Sequence, residues 1–221
     1  SIDPSIAPIQ RDGDLYTLTG NISSDANGIV IERANMTLDG AYYTVQGTGA
    51  DYSKGVDVSG RSNVTIKNVK IIGFEFGIYL TGSSNNSIVR NSITANDGHG
   101  IILYLDSDHN TIIGNNLAAN NNDGIYLFHC SNNVISANNI TANNEYGIRL
   151  LESSNNILRD NSMVNNRYNF GVSGSFYSHL IHDVDTSNTA DGKPMYYWID
   201  KQKSTVPVDA GYVALINCAC I

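Results

Sequence analysis

Basic residues, thiols and long apolar runs are all scarce in this chain, and each shortage removes a class of protein. Lys and Arg number 13 against 21 Asp and Glu, for a net charge of −8. An acidic surface repels phosphate backbones, so nucleic acid is not an expected partner. No stretch approaches the roughly 18 apolar residues of a membrane span, so no membrane-crossing helix is expected. The opening "SIDPSIAP" lacks the charged start and apolar core of a signal peptide. The chain therefore reads as intracellular, as a mature secreted product or as a fragment.

Only three cysteines occur, Cys130, Cys218 and Cys220. An odd count points to a free thiol or to a bond between molecules. Cys218 and Cys220 lie two apart in an apparent strand, "VALINCACI". Their side chains then share a face, but an extended backbone holds their α-carbons near the upper limit for a disulfide. Buried free thiols and intermolecular disulfides through Cys130, Cys218 and Cys220 are the two readings.

What the sequence has in excess is asparagine, regularly spaced. "GIYL" starts at Gly77 and at Gly124, "GIIL" at Gly100 and "GIRL" at Gly147; "GVDV" at Gly55 and "GVSG" at Gly171 extend the series, in steps of 22, 23, 24, 23 and 24 residues. Aligning these starts aligns four aliphatic columns: Ile78, Ile101, Ile125, Ile148 and Val172; Leu80, Leu103, Leu127 and Leu150; Ile88, Ile112, Ile135 and Leu158; Ile93, Leu117, Ile140 and Met163. Three asparagine columns run among them: Asn86, Asn110, Asn133 and Asn156; Asn91, Asn115, Asn138 and Asn161; Asn96, Asn120, Asn143 and Asn166.

Such a period signals a solenoid. The Asn-, Ser- and Gly-rich half-repeats form helices poorly, and I-x-L is strand spacing. The pattern predicts an all-β fold, a parallel β-helix with coils of about 23 residues stacked roughly 4.8 Å apart. Asn and Gly would make the corners, where the backbone turns left-handed. Stacked asparagines would form amide ladders that satisfy buried polar groups. The expected organisation is an N-terminal strand or cap over 1–27, the β-helix over 28–185 and a C-terminal β extension over 186–221.

At this point the chain resembles a known family. "DGDLYTLTGNISSDANGIVIERANMTLDG" looks like the leading segment of NosD-type, or CASH-type, right-handed β-helix domains, and "GRSNVTIKNVKIIGFEFGIYL" with the Asn-rich coils looks like their repeats. The likeness covers roughly 14–172. "GKPMYYWIDKQKSTVPVDAGYVALINC" resembles the tail of archaeal cell-surface members, of sheath or S-layer type. The resemblance implies a single-stranded right-handed β-helix and an extracellular or cell-surface location. It implies function weakly, because one fold hosts many activities.

Candidate chemistry is sparse. Glycoside hydrolysis needs two carboxylates facing one bond. Asp106 and Asp108 stack beside Ser83 and Asn85 in one neighbouring coil and Cys130 and Asn132 in the other, and Asp183 and Asp185 leave the pattern. Catalysis is therefore not expected, and a polysaccharide lyase or hydrolase is the last alternative. The copper role that goes with the NosD name needs clustered soft ligands, yet His99, His109, His129, His179 and His182 are scattered; His99 aligns with Asp123 and Tyr146, and no cofactor is expected. The outward residues of the G-I-x-L strands, Tyr79, Ile102, Tyr126 and Arg149, with Tyr104 and Phe128, make a stripe suited to sugar rings or to a protein partner. Five sequons, at Asn21, Asn35, Asn63, Asn85 and Asn139, are candidate N-glycosylation sites. Open strand-like ends and terminal thiols favour a self-associating structural protein of an extracellular sheath or layer. A carbohydrate-binding or adhesion module on surface glycans is the alternative.

Overall fold

The computed structural model describes residues 4–220. Its architecture is a right-handed, single-stranded parallel β-helix of three sheets. Sheet A has nine strands, from Ile9–Asp12 to Asp183–Val184; sheet B has ten, from Ile22–Ser23 to Tyr212–Ile216; sheet C has seven, from Ile29–Val30 to Tyr168–Ser173. Each coil visits A, B and C in turn. Ser87–Val89, Ser92–Thr94 and Ile101–Tyr104 pair in parallel with Thr111–Ile113, Asn116–Ala118 and Ile125–Phe128 of the next coil. The one helical element among the described residues is a 3-10 turn, Tyr177–Leu180.

Aliphatic columns fill the interior. Leu80, Leu103, Leu127 and Leu150 are all 0% exposed, as are Ile88, Ile112, Ile135 and Leu158. Each such side chain contributes roughly 1.5–3 kcal/mol of transfer free energy. In the last coil the register moves by two: Ile148 pairs with Phe170 and Leu150 with Val172. "GVSG" is therefore not the next G-I-x-L. A shift of two keeps side-chain parity, so Phe170 takes the interior place expected of Val172, and Gly171 falls on the outward column.

The corners carry the polar logic. Left-handed φ angles occur at Asn85, Arg90 and Ala95, at His109, Gly114 and Ala119, at Asn132, Ala137 and Ala142, and at Asn155, Asp160 and Asn165. Each is the residue immediately before a ladder asparagine. The ladder asparagines thus follow the turn instead of making it. Oδ1 of Asn115 accepts from the Asn91 backbone N–H at 2.9 Å and from Asn91 Nδ2 at 3.0 Å. Asn115 in turn donates its backbone N–H and Nδ2 to Asn138 Oδ1, and Nδ2 also donates to the Ile88 carbonyl. The other two columns repeat these links. A fourth buried column, Ser83, Ser107, Cys130 and Ser153, lines the corner after sheet C. Cys130 Sγ donates to the Phe128 carbonyl as Ser153 Oγ donates to that of Leu151. Cys130 is therefore a buried stand-in for serine and cannot form the intermolecular disulfide considered for it.

Parallel stacking runs past the expected limits at both ends. Leu15–Leu18 already pairs with Met36–Asp39, and Ile9–Asp12 closes that edge of sheet A as an antiparallel strand. At the other end, Asn161 donates to Asn188 Oδ1 across 27 residues. The excursion holding the 3-10 turn lengthens that coil. The extension then adds Lys193–Ile199 and Tyr212–Ile216 to sheet B. Cys218 and Cys220 lie beyond the last strand, which ends at Ile216. The apparent strand through both thiols is not formed; Asn217 and Cys220 are left-handed.

His182 ends one ladder: the Asn156 backbone N–H donates to its Nδ1 at 3.3 Å, and its Nε2 faces the His179 carbonyl. Burial pushes its imidazole down from 6.5 to about 4. The neutral ring is the native form, so its contribution to stability is complete above pH 6.5, declines as the unfolded chain takes up a proton, and is gone below about pH 4. It amounts to about 3 kcal/mol at most. Urea unfolding followed from pH 7 to pH 4 should show this loss, and His182→Asn, which restores an amide at the rung, should flatten that part of the profile.

Two further variants test the corners. Asn115→Leu strands the Asn91 N–H and removes the side-chain donor to the Ile88 carbonyl, and should destabilise the chain by roughly 3–5 kcal/mol. Ala137→Gly relieves a left-handed alanine on the exposed side of its corner and should stabilise by about 0.5–1 kcal/mol. Both are read by thermal or urea unfolding.

Candidate functional site

Three columns cross the outer face of sheet C. The first runs through Asp57, Tyr79, Ile102, Tyr126, Arg149 and Gly171, and the second through Thr81, Tyr104, Phe128, Leu151 and Ser173. The third, by the same register, runs from Lys54 and Phe76 through His99 and Asp123 to Tyr146 and Tyr168. Parallel pairing makes neighbours of residues about 23 apart, so Tyr79, Tyr104, Tyr126, Phe128 and Arg149 share one face. Tyr104 and Phe128 stack with centroids 5.0 Å apart. Lys54 sits 4.2 Å over the Tyr79 ring, and Arg149 lies 5.7 Å over Tyr126 and 5.1 Å over Tyr146. Ile102, flanked by Tyr79 and Tyr126, is only 5% exposed.

Unlike residues meet at the centre of this face. The His99 ring stacks between Phe76, 6.1 Å away, and Tyr126, 4.8 Å away. Its Nδ1 lies 3.3 Å from Asp123 Oδ2 and also 3.3 Å from the Asp123 backbone nitrogen. Asp123 is 1% exposed; its Oδ1 accepts the Tyr146 backbone N–H at 2.8 Å, while Oδ2 has no hydrogen-bond donor. A neutral ring with bare Nδ1 accepts from the backbone. A ring with its proton on Nδ1 turns an N–H toward Oδ2 and supplies the missing donor.

His99, Asp123, Tyr126, Glu145 and Arg149 line an open cavity of 430 Å³. Burial raises the Tyr126 phenol above its usual value, so it keeps its proton. The charges on this face are mostly paired: Lys54 with Asp57 at 2.7 Å and Arg167 with Glu145 at 2.8 Å. Burial works to raise the Asp57 carboxyl, but the Lys54 and Ser59 donors hold it below the usual range. Among the described residues Arg149 has no ion-pair partner and is available to an anion.

The other sequence candidates lie elsewhere. Asp183 and Asp185 both face Arg159. Asp108 accepts from the Ser131 backbone, and Asp106 is exposed on a corner. The sequon residues Asn21, Asn35, Asn63, Asn85 and Asn139 are all exposed; Asn63 donates to Asn35, and Asn139 to Asn116. Cys218 is partly buried and Cys220 exposed. The reading that sought repeated residue types passed over the His99–Asp123 contact; the signal was the column itself, which aligned His99, Asp123 and Tyr146.

The family model described as "Periplasmic copper-binding protein (NosD)" matches residues 10–192. Copper fits this chain poorly. Among the described residues no group of three or more His, Cys, Asp or Glu side chains could hold a metal ion. The one buried thiol, Cys130, is pushed up to about 12 by burial and so keeps its proton, whereas a soft copper site needs thiolate, thioether or clustered imidazole.

Among solved structures, the periplasmic alginate epimerase AlgG matches with a TM-score of 0.58 at 20% identity over 72% of this chain and 46% of that one. A double mutant of the same enzyme matches with a TM-score of 0.59, also at 20% identity and the same coverage. The pectate lyase Pel9A matches 92% of this chain and 67% of that one at 15% identity, with a TM-score of 0.46. The chain thus spans less than half the length of AlgG. No curated protein matches. The expectation that a chain of this pattern is no enzyme does not survive: the neighbour with the same coil architecture is an epimerase. Nothing in these likenesses supports a sheath, a surface layer or an archaeal source. The match over 10–192, most of the chain, places this protein in the NosD family.

Proposed function

We propose that this protein acts outside the cytoplasm on a polysaccharide containing uronic acids, taking the proton from the ring carbon that bears the carboxylate. One observation carries the reading: His99, backed by the buried Asp123, lines the same cavity as the unpaired Arg149. The extracytoplasmic placement follows the family's description as periplasmic and the periplasmic epimerase with the same coils.

A hydrogen beside an ionised carboxylate is hard to remove, because negative charge must build on a group already negative. Arg149 meets the carboxylate with a planar fork of donors and offsets that charge. In the tautomer that carries its proton on Nδ1, directed at Asp123 Oδ2, His99 Nε2 is free and accepts the proton as the carbon–hydrogen bond breaks, and the electron pair moves onto the carboxylate. The ring then carries both protons, and the Nδ1–H that already faced Asp123 Oδ2 keeps the carboxylate as its orienting partner. The Tyr126 phenol, stacked on His99, can give its proton to a departing glycosidic oxygen for elimination, whereas epimerisation needs a proton from the opposite face of the sugar ring. Tyr104 and Phe128 supply a stacking surface alongside.

Binding without chemistry is the second reading, favoured by the Tyr104–Phe128 stack. A self-assembling structural role has less behind it, since of the three thiols only Cys220 is exposed.

The protein should be incubated with polymannuronate and with polygalacturonate in deuterium oxide and followed by NMR. The expected result is exchange of the hydrogen beside the carboxylate on one polymer, with an inverted or an unsaturated sugar as product. His99→Ala and Arg149→Ala should each lower kcat/KM by about 100-fold or more. Binding with no exchange would favour a binding module; no interaction with either polymer would overturn the proposal.

A further inference from the structure

We infer that the C-terminal extension completes a second sugar subsite on this face, next to the one at His99, and that it holds the adjoining residue of the same polysaccharide. This deepens the proposed function and rests on it.

Gly171 opens the site. In the outward column it follows Tyr79, Ile102, Tyr126 and Arg149, and it alone lacks a side chain. The Tyr146 ring lies across the bare position: a Cβ on Gly171 would stand 2.5 Å from Tyr146 Cε1. A cavity of 290 Å³ lies there, walled by Tyr146, Tyr168 and Tyr212, with the inward-facing Phe170 and Val172 behind them and Ser173 and Arg149 at its polar edge. Arg149 lines both this cavity and the one at His99, so the two adjoin at its side chain. The volume lies near the lower end, about 300 Å³, of small-ligand sites, which suits one ring and not a chain.

The walls have the character of a sugar platform. Tyr146 and Tyr168 stack at 4.9 Å, and Tyr168 remains 47% exposed on its outer side. Aromatic faces of this kind take the apolar face of a ring, while hydroxyls and the guanidinium meet its rim. The last wall comes from another part of the chain. Tyr212 stands in Tyr212–Ile216, outside the region matched to the family, and packs edge-on to Phe170 at 5.4 Å. The extension therefore does more than close the end of sheet B: it bounds the reacting face and sets how far the bound polymer reaches.

Titration of the whole protein with mannuronate, with galacturonate and with the tetramer of each separates the possibilities. The tetramer should bind at least about 10-fold more tightly than the monomer. Tyr168→Ala, at a half-exposed position, should remove most of that preference while leaving monomer affinity and the exchange reaction's dependence on His99 in place. Tyr212→Leu, which keeps an apolar packing group against Phe170, should do the same to a smaller degree. Unchanged length preference in both variants would overturn the subsite while leaving the His99 chemistry standing. Loss of the preference without any exchange in the wild-type protein would keep the subsite and sink the chemistry. Failure of the wild-type protein to bind either sugar would overturn both.

Discussion

The side-chain amide that joins one coil to the next is the interaction on which this structure depends. Every corner places a residue in the left-handed region, at roughly 1–2 kcal/mol for anything but glycine or asparagine, and buries backbone groups that no sheet can reach. A ladder asparagine answers both demands. Its carbonyl takes the N–H of its counterpart in the preceding coil, and its amide reaches a carbonyl that would be orphaned. An unsatisfied buried group costs about as much as the strain itself, so the ladder is what allows alanines such as Ala119, Ala137 and Ala142 to sit in a conformation they otherwise avoid.

Because every coil turns at the same rung, the outer face inherits strict register. A residue in one coil lies over its counterpart about 23 residues later, and a site is assembled from one side chain per coil. The aliphatic interior does the packing and leaves the outward positions of sheet C free for chemistry. His99 meets Asp123 and Arg149 flanks Tyr126 because they are steps in adjoining columns. Asp123 also takes part in the stacking: its carbonyl accepts from Gly100, and its Oδ1 accepts from the Tyr146 backbone. The same residue therefore fixes the corner and orients the imidazole.

Much of the fold was legible because repetition is a signal that composition cannot hide. The aliphatic and asparagine columns mark which residues face inward and which coils stack. The corner was misassigned by one position, since Asn85, Asn132, Asn155 and Asn165 do sit in the turn beside ladder asparagines and draw attention from the alanines that do the same elsewhere. Val172 was misplaced because a second glycine, Gly171, imitates the repeat after a two-residue shift. The end of the solenoid eluded the pattern because the excursion around Tyr177–Leu180 lengthens its coil. The site was legible only in part. Tyr79, Tyr104, Tyr126, Phe128 and Arg149 follow from alternation alone, but a dyad of unlike residues leaves no repeated letter, and Tyr212 reaches the face only through a strand outside the repeat.

The contrast between the ladders and the Asp123 carboxylate bears on what the face is for. Throughout the ladders, buried amides are satisfied, as a low-dielectric interior demands. Among the described residues only Arg61 Nε, His179 Nδ1 and Asp123 Oδ2 are buried side-chain polar atoms with no hydrogen-bond partner. His179 already faces the Glu152 carboxylate. Asp123 Oδ2 faces His99 Nδ1, and a proton on that nitrogen completes the pair. A serine or asparagine at 123 would have suited the stacking better and cost less to bury. An acid beneath a histidine that is stacked between two aromatic rings, with an unpaired guanidinium in the same cavity, is the arrangement that the proposed chemistry requires, since Oδ2 holds the Nδ1 proton while Nε2 is left free.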